Sequence, residues 1–230
     1  MSDSSTPSFD AWVEYCFTGG YHDFHAGHGS PERCEYERWT EGLEPPTLAE
    51  FVVRLFRSPA FIADRYTDDQ IADATWFLFG CASGYFHVLR SDAVPRSLQI
   101  EYTASVATLY TELFDRVCCK RGANPDGDYT NDLKVDTAVY MIWDMDCIEG
   151  AVMFPESSPH LVEPSFGVLD TVLARCCTSS CQVSALHALG HIHPYHPQRA
   201  ERMIDAFIAS RSVAQWVRNY AEQARRGHVL

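Results

Sequence analysis

Basic residues are scarce in this chain: 18 Lys and Arg stand against 31 Asp and Glu, a formal charge of -13 over 230 residues. Phosphate backbones and anionic lipid bind proteins through lysine and arginine, so this balance repels both. Nucleic acid and membrane are therefore excluded as expected partners, and a protein with a basic surface is favoured by long-range steering. Long apolar runs are also missing. No stretch approaches the ~18 uninterrupted apolar residues of a membrane span, and the Ser-rich start, Met1 to Phe9, has neither the basic nor the apolar region of a secretory leader. The expected location is the cytoplasm.

The nine cysteines include no C-x-x-C pair, which removes the usual redox-exchange and zinc-knuckle motifs. Cys81, Cys118, Cys147 and Cys176 fall inside apolar helical patterns and read as reduced thiols packed like small hydrophobes. One member of each vicinal pair, Cys118-Cys119 and Cys176-Cys177, is expected in the core, with Cys181 nearby in sequence. Gly-rich phosphate loops, nucleophile elbows and dinucleotide fingerprints are absent, so no cofactor is expected. No segment alternates cleanly with period two, which argues against a sheet; a short strand at 86–89 is unneeded.

What is present is apolar content of 46%, with 13% aromatic residues, enough for a sizeable core. Residues 1–46 read as an irregular segment packed on that core, with a helix only from Phe9 to Phe17. Gly19, Gly20, Gly27 and Gly29 interleave with histidines there, and Pro45-Pro46 closes the segment. A helical domain follows over 47–230, with 47–150 and 165–230 as two sub-bundles. Thr47 to Glu50 has the form of a capping box, ahead of an apolar stripe at Leu48, Phe51, Val52, Leu55 and Phe56. Ser58-Pro59 opens a short helix, and Thr67 to Gln70 is a second capping box. Further helical stripes run through Tyr102 to Val117 and Val135 to Met145. Four more follow after residue 165, joined by short connections that make neighbours antiparallel. The fold expected is all-α, built from stacked antiparallel helical hairpins.

Ser184-Ala-Leu-His-Ala-Leu-Gly190, a short Pro-containing turn and the apolar helix Met203 to Ile208 resemble the helix-turn-helix unit of HEAT-like repeat proteins. The resemblance covers about the last 50 residues. It implies an α-solenoid-like stack presenting a protein-binding surface, and no catalytic residue.

Four groups of residues bear on function. His187 and His191 stand one turn apart, a spacing that lets two imidazoles share a metal. The zinc-protease pattern places a glutamate after the first histidine, where this chain has Ala188, so the hydrolytic base is missing. Ser184, His187 and His191 share a polar helix face, read as solvated or as inter-helix packing. His22, His25, His28 and Cys34 offer a second ligand set in a Gly-permissive loop, with an ordinary surface loop as the plainer reading. Asp144, Asp146 and Glu149 read as an acidic helix end turned to solvent or a basic partner. Trp39, flanked by Glu35, Glu37 and Glu41, is the one tryptophan outside an apolar pattern and a candidate binding anchor.

The combined reading is an acidic helical module that binds a cytosolic protein as an inhibitor, immunity-type or adaptor partner, in a bacterial-like cytosol, and is not itself an enzyme. Two rival readings are a metal-dependent, hydrolase-like enzyme built on His187 and His191, and an acidic mimic of nucleic acid.

Overall fold

Capping chemistry sets where many of these helices begin. In the computed structural model, which describes residues 8–118, 134–145 and 148–229, Ser8 accepts a hydrogen bond from the Ala11 amide and opens α1 (Phe9–Thr18). After the short α2 (Gly20–Asp23), Ser30 accepts from the Arg33 amide and Pro31 takes the first position of α3 (Pro31–Thr40). The first 46 residues are therefore largely helical where described, not irregular. Ser30-Pro31 is the same start signal as Ser58-Pro59, hidden by the surrounding Gly and His.

Pro45-Pro46 likewise opens an element instead of closing one. They occupy the first turn of α4 (Pro45–Arg57), whose N-cap is Glu44 with no side-chain cap bond. The capping box expected at Thr47 does not form, because two prolines with helical φ and no amide to satisfy start the helix earlier. The box at Thr67 does form: Gln70 N–H donates to Thr67 Oγ1, and Thr67 N–H donates to Gln70 Oε1. It heads α6 (Asp68–Phe79), after a 3-10 turn (Pro59–Phe61) and α5 (Ile62–Arg65). Residues 86–89 lie in α7 (Tyr85–Leu89), entered through Gly84 at φ +66.

The long helix α8 (Arg96–Leu109) widens into a π-turn (Tyr110–Phe114) and ends in α9 (Asp115–Val117). Next come α10 (Lys134–Met141), a 3-10 turn (Trp143–Met145) and α11 (Glu149–Met153). A 3-10 turn (Pro159–Leu161) leads into α12 (Val162–Arg175), with Pro164 tolerated in its first turn. The chain ends with α13 (Ser179–Ile192), α14 (Pro197–Ser210) and α15 (Gln215–Ala224). No strand occurs among the described residues, so the fold is all-α. No described helix is long and apolar enough to cross a membrane.

One apolar cluster runs from Trp12 to Ala224 and joins these elements. In it α4 packs on α8, α6 on α1 and α10, and α8 on α12. Helix α13 lies inside this assembly, against α10, α12 and α15. It is buried on nearly every side, including the face that carries its polar residues.

Candidate functional site

That polar face is a chain of paired groups. Ser180 donates a close hydrogen bond to Asp136 of α10. One turn on, Ser184 donates to the Val139 carbonyl at 2.7 Å and lies 2.8 Å from the Tyr110 hydroxyl, which accepts from Trp143 Nε1 at 3.0 Å. The π-turn sets Tyr110 at this junction. Ser184 and His187 are fully buried, so the shared polar face is interior and not solvated. A polar atom enclosed this way costs stability unless paired, and each of these serines has a partner.

The next turn brings two histidines, two carboxylates and two phenols together. His187 Nε2 lies 2.9 Å from Asp144 Oδ1. Its Nδ1 lies 2.6 Å from the Tyr220 hydroxyl and 2.9 Å from the Tyr140 hydroxyl, and the two phenols are 3.0 Å apart. His191 Nδ1 sits 3.3 Å from Glu149 Oε1 and 3.4 Å from Asp144 Oδ1. Asp144 counts as a surface residue, yet its carboxylate is turned inward, with the side chain only 22% exposed. Asp144 and Glu149 thus face histidines, against the expectation of an acidic end open to solvent or a partner. The second oxygen of Glu149 is buried and has no hydrogen-bond partner among the described residues.

Electrostatics distinguish the two imidazoles. With Nε2–H of His187 donating to the Asp144 carboxylate, Nδ1 is left to accept from a phenol. Burial pushes the Tyr140 hydroxyl up from the ordinary phenol value, so it stays protonated and able to donate. His191 is held above the usual imidazole value, chiefly by its hydrogen bond to Glu149, against the effect of burial.

Asp144, His187 and His191 each offer a ligand atom within 4.8 Å of the others. With metal bonds of ~2.0–2.1 Å, the donors of a tetrahedral zinc site stand about 3.3 Å apart. The 2.9 and 3.4 Å separations from Asp144 bracket that edge. A cation at Nε2 of His187 needs only a tautomer shift: Nδ1–H then donates to a phenol oxygen, the outer-shell bond typical of a ligating histidine. The sequence pattern offered no base beside His187; the fold supplies Asp144 and Glu149 from the segment between α10 and α12.

The other candidates do not assemble. His22, His25, His28 and Cys34 are exposed and form no ligand group, and His22 pairs with Asp73 at 3.2 Å. Trp39 is 4% exposed, stacks on Tyr15 with ring centroids 5.5 Å apart, and donates its indole N–H to Glu35 Oε2. It is a core residue and not an exposed anchor. Glu35 and Glu37 pair with Arg38 and Arg33 along α3, and Glu41 is its exposed C-cap. Asp146, Cys119 and Cys147 lie outside the described residues. Cys176 is buried and Cys177 exposed, as the vicinal pattern implied, whereas Cys81 is exposed and not packed in a core. Tyr140 and Tyr220 were missed, and a phenol in place of a phenyl was their only signal. No known protein family matches the sequence, and no match is found among curated proteins or solved structures.

Proposed function

We propose that the protein is metal-dependent, with a divalent cation of the zinc class held by Asp144, His187 and His191. The observation that carries this reading is the buried Glu149 oxygen, without a hydrogen-bond partner among the described residues, beside three converging donors. A carboxylate oxygen left alone in a protein interior is costly, and a cation or its bound water is what such an oxygen pairs with. Three protein ligands leave a fourth position for water, the arrangement of hydrolytic rather than structural zinc sites. Glu149 would be placed to accept a proton from such a water, the role the local sequence seemed to lack. Chain charge disfavours anionic substrates.

The experiment is metal titration of the purified chain by calorimetry, with elemental analysis of the protein as isolated. Zinc should bind with a component that His191→Ala weakens by at least about tenfold. Absence of any component of zinc binding, or of zinc-dependent melting, that His191→Ala alters removes the proposal.

A second reading, the protein-binding module, is favoured by a surface feature. Phe154 and Tyr195 are 54% and 46% exposed and pack edge to face, with ring centroids 5.7 Å apart. Phe154 directly follows α11 and Tyr195 lies in the turn after α13, so the pair stands just past the elements carrying Glu149 and His191. An exposed aromatic pair on a strongly negative chain suits a basic partner, and such a complex should associate more slowly as salt rises. An affinity pull-down followed by association kinetics across salt tests it; salt-insensitive rates with every captured protein count against it.

A further inference from the structure

Thiols from three segments of the chain gather at the first turn of α13. Cys118 follows α9, Cys176 ends α12 and Cys181 lies in the first turn of α13, and all three are fully buried. The Cys181 thiol is in hydrogen-bond contact with both Cys118 and Cys176. An oxygen of Asp115 and the sulfurs of Cys176 and Cys181 lie within 4.8 Å of one another. The aspartate is held firmly: Oδ1 accepts from the Cys177 amide at 2.8 Å, the Thr178 amide at 2.7 Å and the Thr178 hydroxyl at 2.8 Å. Those three bonds do not use Oδ2.

We propose that Cys118, Cys176, Cys181 and Asp115 form a second metal site, for a thiophilic divalent cation of the zinc type, independent of the histidine site. Zinc–sulfur bonds of ~2.3 Å put tetrahedral sulfurs about 3.8 Å apart, the range in which thiols touch. With Cys118 drawn in from its place against Cys181, three sulfurs and one oxygen would fill four positions, a closed, structural site that ties α9, α12 and α13 together. Packing accounts for any one buried thiol; it gives no reason for two thiols and a carboxylate to converge with a third thiol against one of them.

Charge balance follows from the donors. Each thiol gives its proton to solvent as the cation binds, so three thiolates, one carboxylate and a dication leave a net charge of -2. Two features offset this. The Cys177 and Thr178 amides leading into α13 donate to the Asp115 carboxylate, and the Arg211 guanidinium sits alongside, donating to the carbonyls of Cys176 and Ala174. Without the cation, burial first and then the Cys118 thiol hold the Cys181 thiol well above the ordinary thiol value.

The test is cobalt(II) binding to the reduced full-length chain, both added to native protein and present during refolding. The readout is the sulfur-to-cobalt charge-transfer band, which imidazole and carboxylate ligands do not produce. One equivalent should develop the band in the unaltered chain and in His191→Ala, which separates this site from the histidine site. The band should be lost in Cys176→Ala and in Cys181→Ser. No band in either protocol, from protein with unchanged circular dichroism, overturns the proposal, as does a band that survives in both cysteine variants. Should those variants not fold, X-ray absorption on the cobalt-loaded chain decides: a site with three sulfurs supports the proposal, and fewer than two sinks it.

Discussion

Asp144 Oδ1 lies 2.9 Å from Nε2 of His187, although 43 residues separate them, and that contact divides the labour between two histidines one turn apart. His187 has no exposed surface and is gripped at both ring nitrogens, so its orientation is fixed. The His191 side chain is 27% exposed and, among the described residues, bonded through Nδ1 alone, so it is the imidazole that can meet a ligand from solvent. The architecture therefore separates a positioning residue from a responsive one.

Replacing them should have unequal effects. His187→Ala removes one partner of an inward carboxylate and of two phenols and opens a cavity, which should cost about 3–5 kcal/mol. His191→Ala removes a partly exposed pair and should cost about 1 kcal/mol or less. Urea unfolding of both variants measures the difference; equal losses would show that the division of labour does not exist.

How much of this was legible beforehand follows from which physics is local. The α6 start was readable because Thr67 and Gln70 satisfy one another within four residues. The α13 polar face was readable as a face, since it depends only on helical spacing. Its burial was not, because α10 and α15 cover it, and nothing in Ser184 to His191 encodes where residues 140 and 220 will stand. Asp144 and Glu149 looked like an open acidic end for the same reason: a local window shows charge but not which way it turns. Charge context misled at Trp39 too, where acidic neighbours one turn away serve the indole as an acceptor in the interior.

Trp39→Ala should therefore behave as a core truncation. Loss of the indole and of its stacking on Tyr15 should cost about 3–5 kcal/mol, while Glu35→Gln, which keeps an acceptor oxygen, should change stability by less than about 1 kcal/mol. Thermal unfolding reads both. A Trp39→Ala variant as stable as the parent would return this residue to the list of surface anchors.

Acid sensitivity has a specific source in His160. Its ring is held below the ordinary imidazole value, first by burial and then by the Arg96 charge, while Nε2 pairs with Gln99 Oε1 at 2.7 Å and the buried Nδ1 has no partner among the described residues. The unfolded chain thus takes up this proton before the native one does. Stability from this group is complete above the ordinary imidazole value, declines as pH falls through it, and levels off below the native value. His191 works with the opposite sign: its raised value contributes stability in acid that is lost as pH rises through it. The difference between the parent and His160→Gln isolates the first effect. Unfolding free energies from neutral down to about pH 5 should fall less steeply in the variant; parallel curves would show that His160 does not titrate differently on folding.

Gly190, between the two histidines, gives a prediction whose sign can be reversed. A Cβ at this position would lie 2.5 and 2.7 Å from the two methyls of Val229, because the chain turns back at Gly227, where φ is +67, and lays its end against α13. Alanine is favoured over glycine within a helix by about 1 kcal/mol, but overpacking of this kind costs about 1–3 kcal/mol. Gly190→Ala alone should therefore be destabilising, or displace residues 228–229. Trimming the obstacle frees the helix term, so Gly190→Ala combined with Val229→Ala should be more stable than Val229→Ala alone by up to about 1 kcal/mol. Chemical unfolding of the four chains closes the cycle. If Gly190→Ala stabilises both backgrounds equally, Val229 does not pack on this helix.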